Sequence, residues 1–176
     1  LSVLLFTPVS TGLVAAVSTG LVALFSEVFV FSSALFFWPD DNILLKPNFI
    51  NSNDLKITAF EVNHDPVEPA FGIRFDYKGR SVVISGDTTY SDNLIKASIE
   101  ADVLIHEAMS IPLLNAIRTA ALNTGRTTTA KILIDVQDYH TPALEVAEVA
   151  LQANVGHLIL YHLLPAPRNN IMEKIF

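Results

Sequence analysis

The chain contains no cysteine. That removes disulfides, thiolate nucleophiles and every cysteine-type zinc site, so a metal ion would have to be held by histidine and carboxylate. Charge is scarce as well, at 16% of the 176 residues. The balance is −7 at pH 7, with 11 Lys and Arg against 18 Asp and Glu, which excludes a broad basic surface able to neutralise a phosphate backbone. A nucleic-acid substrate would need a local patch or another segment. Against these shortages, 51% of the residues are hydrophobic. That is too many for a solvated, disordered chain and enough, at this length, for one domain with its own core.

The hydrophobic excess is local. Across residues 1–38 the one charged side chain is Glu27, and the first cation is Lys46. A run of about 20 apolar residues can span a bilayer, but Pro8, Gly12 and Gly20 interrupt this one and no Lys or Arg orients it. The heptapeptide Val-Ser-Thr-Gly-Leu-Val-Ala occurs at Val9–Ala15 and again at Val17–Ala23, too few copies for a solenoid. Three readings of residues 1–38 stay open: a membrane or export segment, a buried core element, or a segment foreign to the domain that follows. The first would make the protein membrane-bound or exported, and the others fit a cytoplasmic protein. Because the chain begins at Leu, its natural start is expected to lie further upstream.

Residues 39–176 are regular by comparison. Ile57–Val62 is β-branched and aromatic, and reads as a strand. Gly72–Tyr77 and Ser81–Ser85 flank the turn signal Lys78-Gly79-Arg80 and form a hairpin whose second strand, apolar on both faces, is central. Ser91 or Asp92 caps a short helix through Ile99, with Leu94, Ile95 and Ile99 facing inward. Ala101–Ile105 is another buried strand, Ile111–Leu122 a helix, and Asn123–Thr129 a polar, flexible break. Pro142 opens a helix over Ala143–Ala153, and Gly156–Tyr161 is the last strand. Strand and helix alternate, so the domain is α/β, with a mixed sheet flanked by helices.

Polar residues collect at strand ends. His64 follows the strand ending at Val62, Asp87 follows Ser81–Ser85 through Gly86, His106 follows Val103–Ile105, and His162 follows Leu158–Tyr161. In α/β sheets, ligands bind beyond the carboxyl ends of strands. One such histidine is an ordinary surface or core residue, and an Asp in Gly-Asp-Thr is ordinarily a turn former. His157, at a strand start, is given no role. As a set, His64, Asp87 and His162 ask for a common cause. Imidazole and carboxylate suit zinc, and also iron or manganese.

The motifs Phe60-Glu-Val-Asn-His64, Gly79-Arg-Ser-Val-Val-Ile-Ser-Gly-Asp-Thr88, Ala101-Asp-Val-Leu-Ile-His-Glu-Ala108, His140-Thr141 and Leu158-Ile-Leu-Tyr-His162 together resemble the metallo-β-lactamase superfamily, in its ribonuclease Z and arylsulfatase-like branch. The resemblance runs from about Lys56 to Pro167. It implies the C-terminal half of an αββα sandwich carrying part of a two-zinc site. His64 and His162 would serve one ion each and Asp87 would bridge them. His106-Glu107-Ala108 resembles the branch's HEAT motif and His140-Thr141 its HST motif, which implies a general-acid role for His140 with Glu107 as its partner. Met109 and Pro142 depart from those motifs, leaving ribonuclease specificity open.

The resemblance also implies the chemistry: a metal-activated hydroxide attacking a phosphoester, a sulfate ester or a related bond of a small-molecule substrate. The family's upstream His-x-His-x-Asp-His run does not occur in this sequence. Each ion would then have two protein ligands here, and occupancy should be weak unless a missing N-terminal half or a second copy adds more. Two other functions stay open, a non-catalytic truncated domain associated with a membrane through residues 1–38, and a lactone hydrolase. The metal reading expects His64, Asp87 and His162 within about 5 Å of a common point, with His140 and Glu107 beside them.

Overall fold

The computed structural model describes residues 2–5, 50–52 and 54–168. The questions raised by residues 1–38 therefore fall outside the described residues, apart from one short strand. Seven strands form a mixed sheet: β1 (Ser2–Leu5), β2 (Ile50–Ser52), β3 (Leu55–Val62), β4 (Ala70–Tyr77), β5 (Arg80–Ile84), β6 (Val103–Met109) and β7 (His157–Leu164), in the order β1-β7-β6-β5-β4-β3-β2. β2 to β5 form an antiparallel meander, while β5, β6, β7 and β1 run parallel. The helices are α1 (Asp92–Ser98), α2 (Ile111–Asn123), α3 (Thr127–Asp135) and α4 (Ala143–Gln152). None of the described helices is long and apolar enough to cross a membrane.

The β4–β5 hairpin closes through Lys78 and Gly79 at φ 49° and 75°. Two consecutive left-handed residues are what a two-residue hairpin turn with native twist requires, and Gly79 takes that conformation without strain. β5 is central as expected, and its position allows it to donate to both kinds of pairing. The connection from β5 to β6 passes through α1, and that from β6 to β7 through α4, because parallel neighbours cannot be joined by a tight turn.

α1 and α4 pack side by side on one face of the sheet. Leu94 of α1 and Val146, Val149 and Ala150 of α4 meet Val62, Val83, Leu104, Leu158 and Leu160 in a single buried core. The other face carries the alternate residues of the same strands, among them Ile57, Ile73, Phe75, Val82, Ile84, Ile105 and Ile159. It is therefore apolar too, with Phe75 and Ile105 buried and most of the others half-buried.

Four details differ from the sequence expectations. Ile99 is 54% exposed, because it is the C-cap of α1, with extended backbone angles that turn its side chain off the inner face. The break after α2 is short, since α3 already begins at Thr127 and three threonines open a helix that tertiary packing against α2 sustains. β6 continues past Ile105 through His106 and Glu107 to Met109, so neither residue lies at a strand end. β7 likewise includes His162, which sits inside the strand rather than after it.

Candidate functional site

The residues singled out in sequence lie beyond the carboxyl ends of β3 and β5, inside β6 and β7, and on the loop before α4, and each is set by a different local device. His64 lies on the turn after β3, where the Val67 N–H donates to the His64 carbonyl at 2.8 Å. This turn is tied to the one after β5: the Thr89 N–H and the Thr88 hydroxyl both donate to the Asn63 carbonyl, at 2.8 and 3.2 Å. Asp87 follows Gly86, whose φ of 67° and close approach admit no side chain. A Cβ there would lie 2.5 Å from the Phe71 carbonyl oxygen.

His162 owes its placement to a β-bulge. Glu107 pairs with Tyr161 and Ala108 with Leu163, leaving His162 as the extra residue, in the left-handed region at φ 44°. Bulges re-aim side chains at sheet ends and next to active sites, and a non-glycine residue at positive φ is a strained choice. His162 is thereby brought to Asp87, with Nε2 3.7 Å from Oδ2. Both side chains are a little under half exposed.

His140 lies on the loop before α4, fastened to the end of β6 by the Met109 N–H donating to the Thr141 carbonyl at 2.8 Å. Its ring neighbours those of both His64 and His162, with centroids 5.5 Å from each. Tyr139 packs against both His64 and His140, at 5.2 and 5.1 Å.

Glu107 lies against His140, fully buried. Its Oε1 accepts the Thr141 N–H at 2.8 Å, the His140 Nδ1–H at 3.2 Å and the Thr88 N–H at 3.4 Å. A buried carboxylate needs such donors. Oε2 has no partner among the described residues. Because Glu107 occupies Nδ1 of His140, the Nε2 of that ring is the nitrogen left for chemistry.

The structure thus brings His140 against both His64 and His162, sets Asp87 against His162, and sets Glu107 against His140. No three His, Asp or Glu side chains among the described residues come close enough together to hold a metal ion. His106 points away from the group into the core. Burial lowers its pKa to about 4, and its Nδ1–H donates to the Glu107 carbonyl. His157 is exposed.

Several contributors were not identified from sequence. Thr141 holds the site twice, through its N–H on Glu107 and through its hydroxyl, which donates to the Thr88 carbonyl at 2.6 Å. Tyr161 is pushed up to about 12, first by burial and then by the Asp87 charge, so its phenol stays protonated. Both stand in the motifs quoted from the sequence, Thr141 beside His140 and Tyr161 beside His162, but neither was given a role there.

No protein-family profile matches the chain. Individual curated proteins do match part of it, and those matched are named ribonuclease Z. Ribonuclease Z of Mycolicibacterium gilvum is 32% identical over 113 residues, covering 64% of this chain and 36% of that protein. A putative ribonuclease Z of Mycobacterium tuberculosis (strain CDC 1551) is 33% identical over 110 residues, covering 62% of this chain and 44% of that one. The chain therefore spans less than half the length of these relatives. Among solved structures, the metallo-β-lactamase fold protein YhfI from Bacillus subtilis is similar over 72% of this chain and 42% of its own, with 23% identity and a TM-score of 0.48. Human tRNase Z, short form, is similar over 66% and 39%, with 24% identity and a TM-score of 0.46.

Proposed function

We propose that the chain carries part of the catalytic site of a metal-dependent phosphoester hydrolase. The observation that supports this most is the set of contacts that brings His140 against both His64 and His162, Asp87 against His162 and the buried Glu107 against His140. A core packed for stability alone has no use for three neighbouring imidazoles beside a half-exposed carboxylate.

The donor types fit zinc. Two donors each about 2.1 Å from a tetrahedral ion lie roughly 3.4 Å apart, close to the 3.7 Å between His162 Nε2 and Asp87 Oδ2. His64, Asp87 and His162 would hold the metal, as the resemblance implies, and a bound ion would supply a water of lowered pKa and positive charge for the substrate oxygen. The described residues give one close donor pair and no triplet, so affinity for the ion is expected to be low in this chain.

The remaining steps belong to protein groups. Glu107 fixes the ring of His140 through Nδ1–H. His140 Nε2, when protonated, can give its proton to a departing oxygen. The arrangement is the usual one of a catalytic histidine oriented by a buried carboxylate. Ribonuclease Z is the name of the matched relatives, so an RNA phosphodiester is the first substrate to test, and small phosphoesters are the second. The acidic charge of the chain gives RNA no added support.

Zinc titrated into the full chain, followed by the carbon-bound ring protons of the histidines, tests the metal reading. His64 and His162 should shift together and His157 should stay in place. His64 and His162 resonances unmoved by zinc would overturn it. Zinc-dependent cleavage of a precursor tRNA, of bis-(p-nitrophenyl) phosphate and of p-nitrophenyl sulfate then separates RNA, general phosphoester and sulfate-ester hydrolysis.

A further inference from the structure

β5 ends at Ile84, after which the chain turns away through Ser85 and Gly86, whereas β6 continues to Met109. The backbone of Glu107 therefore faces a side of the sheet where no strand runs beside it. Within a strand, the N–H and C=O of one residue point to the same side, and buried backbone groups require partners. Side chains supply both. The Glu107 N–H donates to Ser85 Oγ at 3.1 Å, and the Glu107 carbonyl accepts the His106 Nδ1–H at 2.6 Å.

A carbonyl cannot donate, so the proton of the neutral His106 ring is on Nδ1. Its Nε2 is buried with no partner among the described residues, in a side chain with no exposed surface. A leucine would fill this core position without leaving a ring nitrogen unpaired. The polar ring therefore requires a reason, and its single hydrogen bond supplies one. The bond falls where the register between β6 and β7 shifts, between Glu107 and Ala108, opposite the bulged His162.

We propose that His106 is the positioning residue for Glu107. Its Nδ1–H replaces the missing strand partner, fixes the Glu107 peptide at the bulge, and so aims the carboxylate that holds His140 and Thr141. The catalytic meaning of this contact rests on the roles proposed above for Glu107 and His140, while the contact itself does not.

Histidine-selective ¹⁵N labelling and two-bond ¹H–¹⁵N spectra of the full chain read the ring tautomers directly. His106 should carry its proton on Nδ1, and an Nε2–H tautomer would overturn the proposal. Two variants test the positioning. His106→Asn offers an amide N–H near the place of Nδ1–H, and His106→Leu offers none. The His140 Nδ1–H resonance, protected by its bond to Glu107, should persist in the Asn variant and vanish in a Leu variant whose methyl spectrum shows it folded. Its persistence in the folded Leu variant would refute the proposal. Should the Leu variant not fold, His106→Ala gives the same comparison, and the tautomer measurement decides on the unsubstituted chain. A failure to bind zinc would sink the proposed function and leave both readouts standing.

Discussion

Protonating His106 should be among the largest pH-dependent terms in the stability of this domain. Burial lowers its pKa from 6.5 to about 4 in the folded chain, while the unfolded chain keeps the ordinary value. Between those two values the unfolded state binds a proton that the folded state refuses. Stability therefore rises with pH across this window, is fully present above about pH 6.5, and is lost as pH falls towards 4. A shift of about 2.5 pH units corresponds to an order-of-magnitude contribution of about 3 kcal/mol, roughly half of it lost by about pH 5.3. That is a large part of the net stability of an ordinary domain.

Urea unfolding from pH 4 to pH 8 would measure it, with the non-titrating His106→Asn variant as reference so that every other ionising group cancels. The unfolding free energy of the unsubstituted chain minus that of the variant should fall by about 3 kcal/mol between pH 7 and pH 4. A difference that stays flat across this range would show that the ring is accessible to protons in the folded state. The burial assigned to the His106 ring would then be wrong.

Other outcomes follow from local geometry. His162→Gly should relieve the positive φ of the bulge and raise stability by about 1 kcal/mol while abolishing the response of the site to zinc; a Gly variant less stable than the parent would contradict the strain assigned to the bulge. Thr141→Val leaves the Thr88 carbonyl without its 2.6 Å donor, and calorimetry should register a loss of about 1–3 kcal/mol. Ser91 caps α1 by accepting the Leu94 N–H, so Ser91→Ala should cost about 1 kcal/mol and Ser91→Gly only a few tenths. Equal losses in the two Ser91 variants would argue against the cap.

Much of the architecture was legible because local chemistry and burial agree there. Ser91 begins a helix and Pro142 begins another, the Lys78-Gly79 pair closes a hairpin, and the β-branched runs become the central strands. Where one local signal competed with context, the sequence misled. The threonines at 127–129 looked like a flexible break, yet they open α3, which is held by packing against α2. Ile99 fitted a helical stripe and is nevertheless the cap, because a period of 3.6 does not show where a short helix stops.

The sequence alone determined the kinds of donor available, since the absence of cysteine leaves imidazole and carboxylate, and it determined which strands would bring them to one end of the sheet. It also carried the similarity to proteins named ribonuclease Z over about 110 residues. Tertiary structure decided how those residues meet. A one-residue bulge that no composition rule announces turns His162 from a strand position towards Asp87. The early end of β5 leaves the backbone of Glu107 to be held by Ser85 and His106 rather than by a neighbouring strand. Register and strand length are set by long-range pairing across the sheet, which no local window of sequence contains.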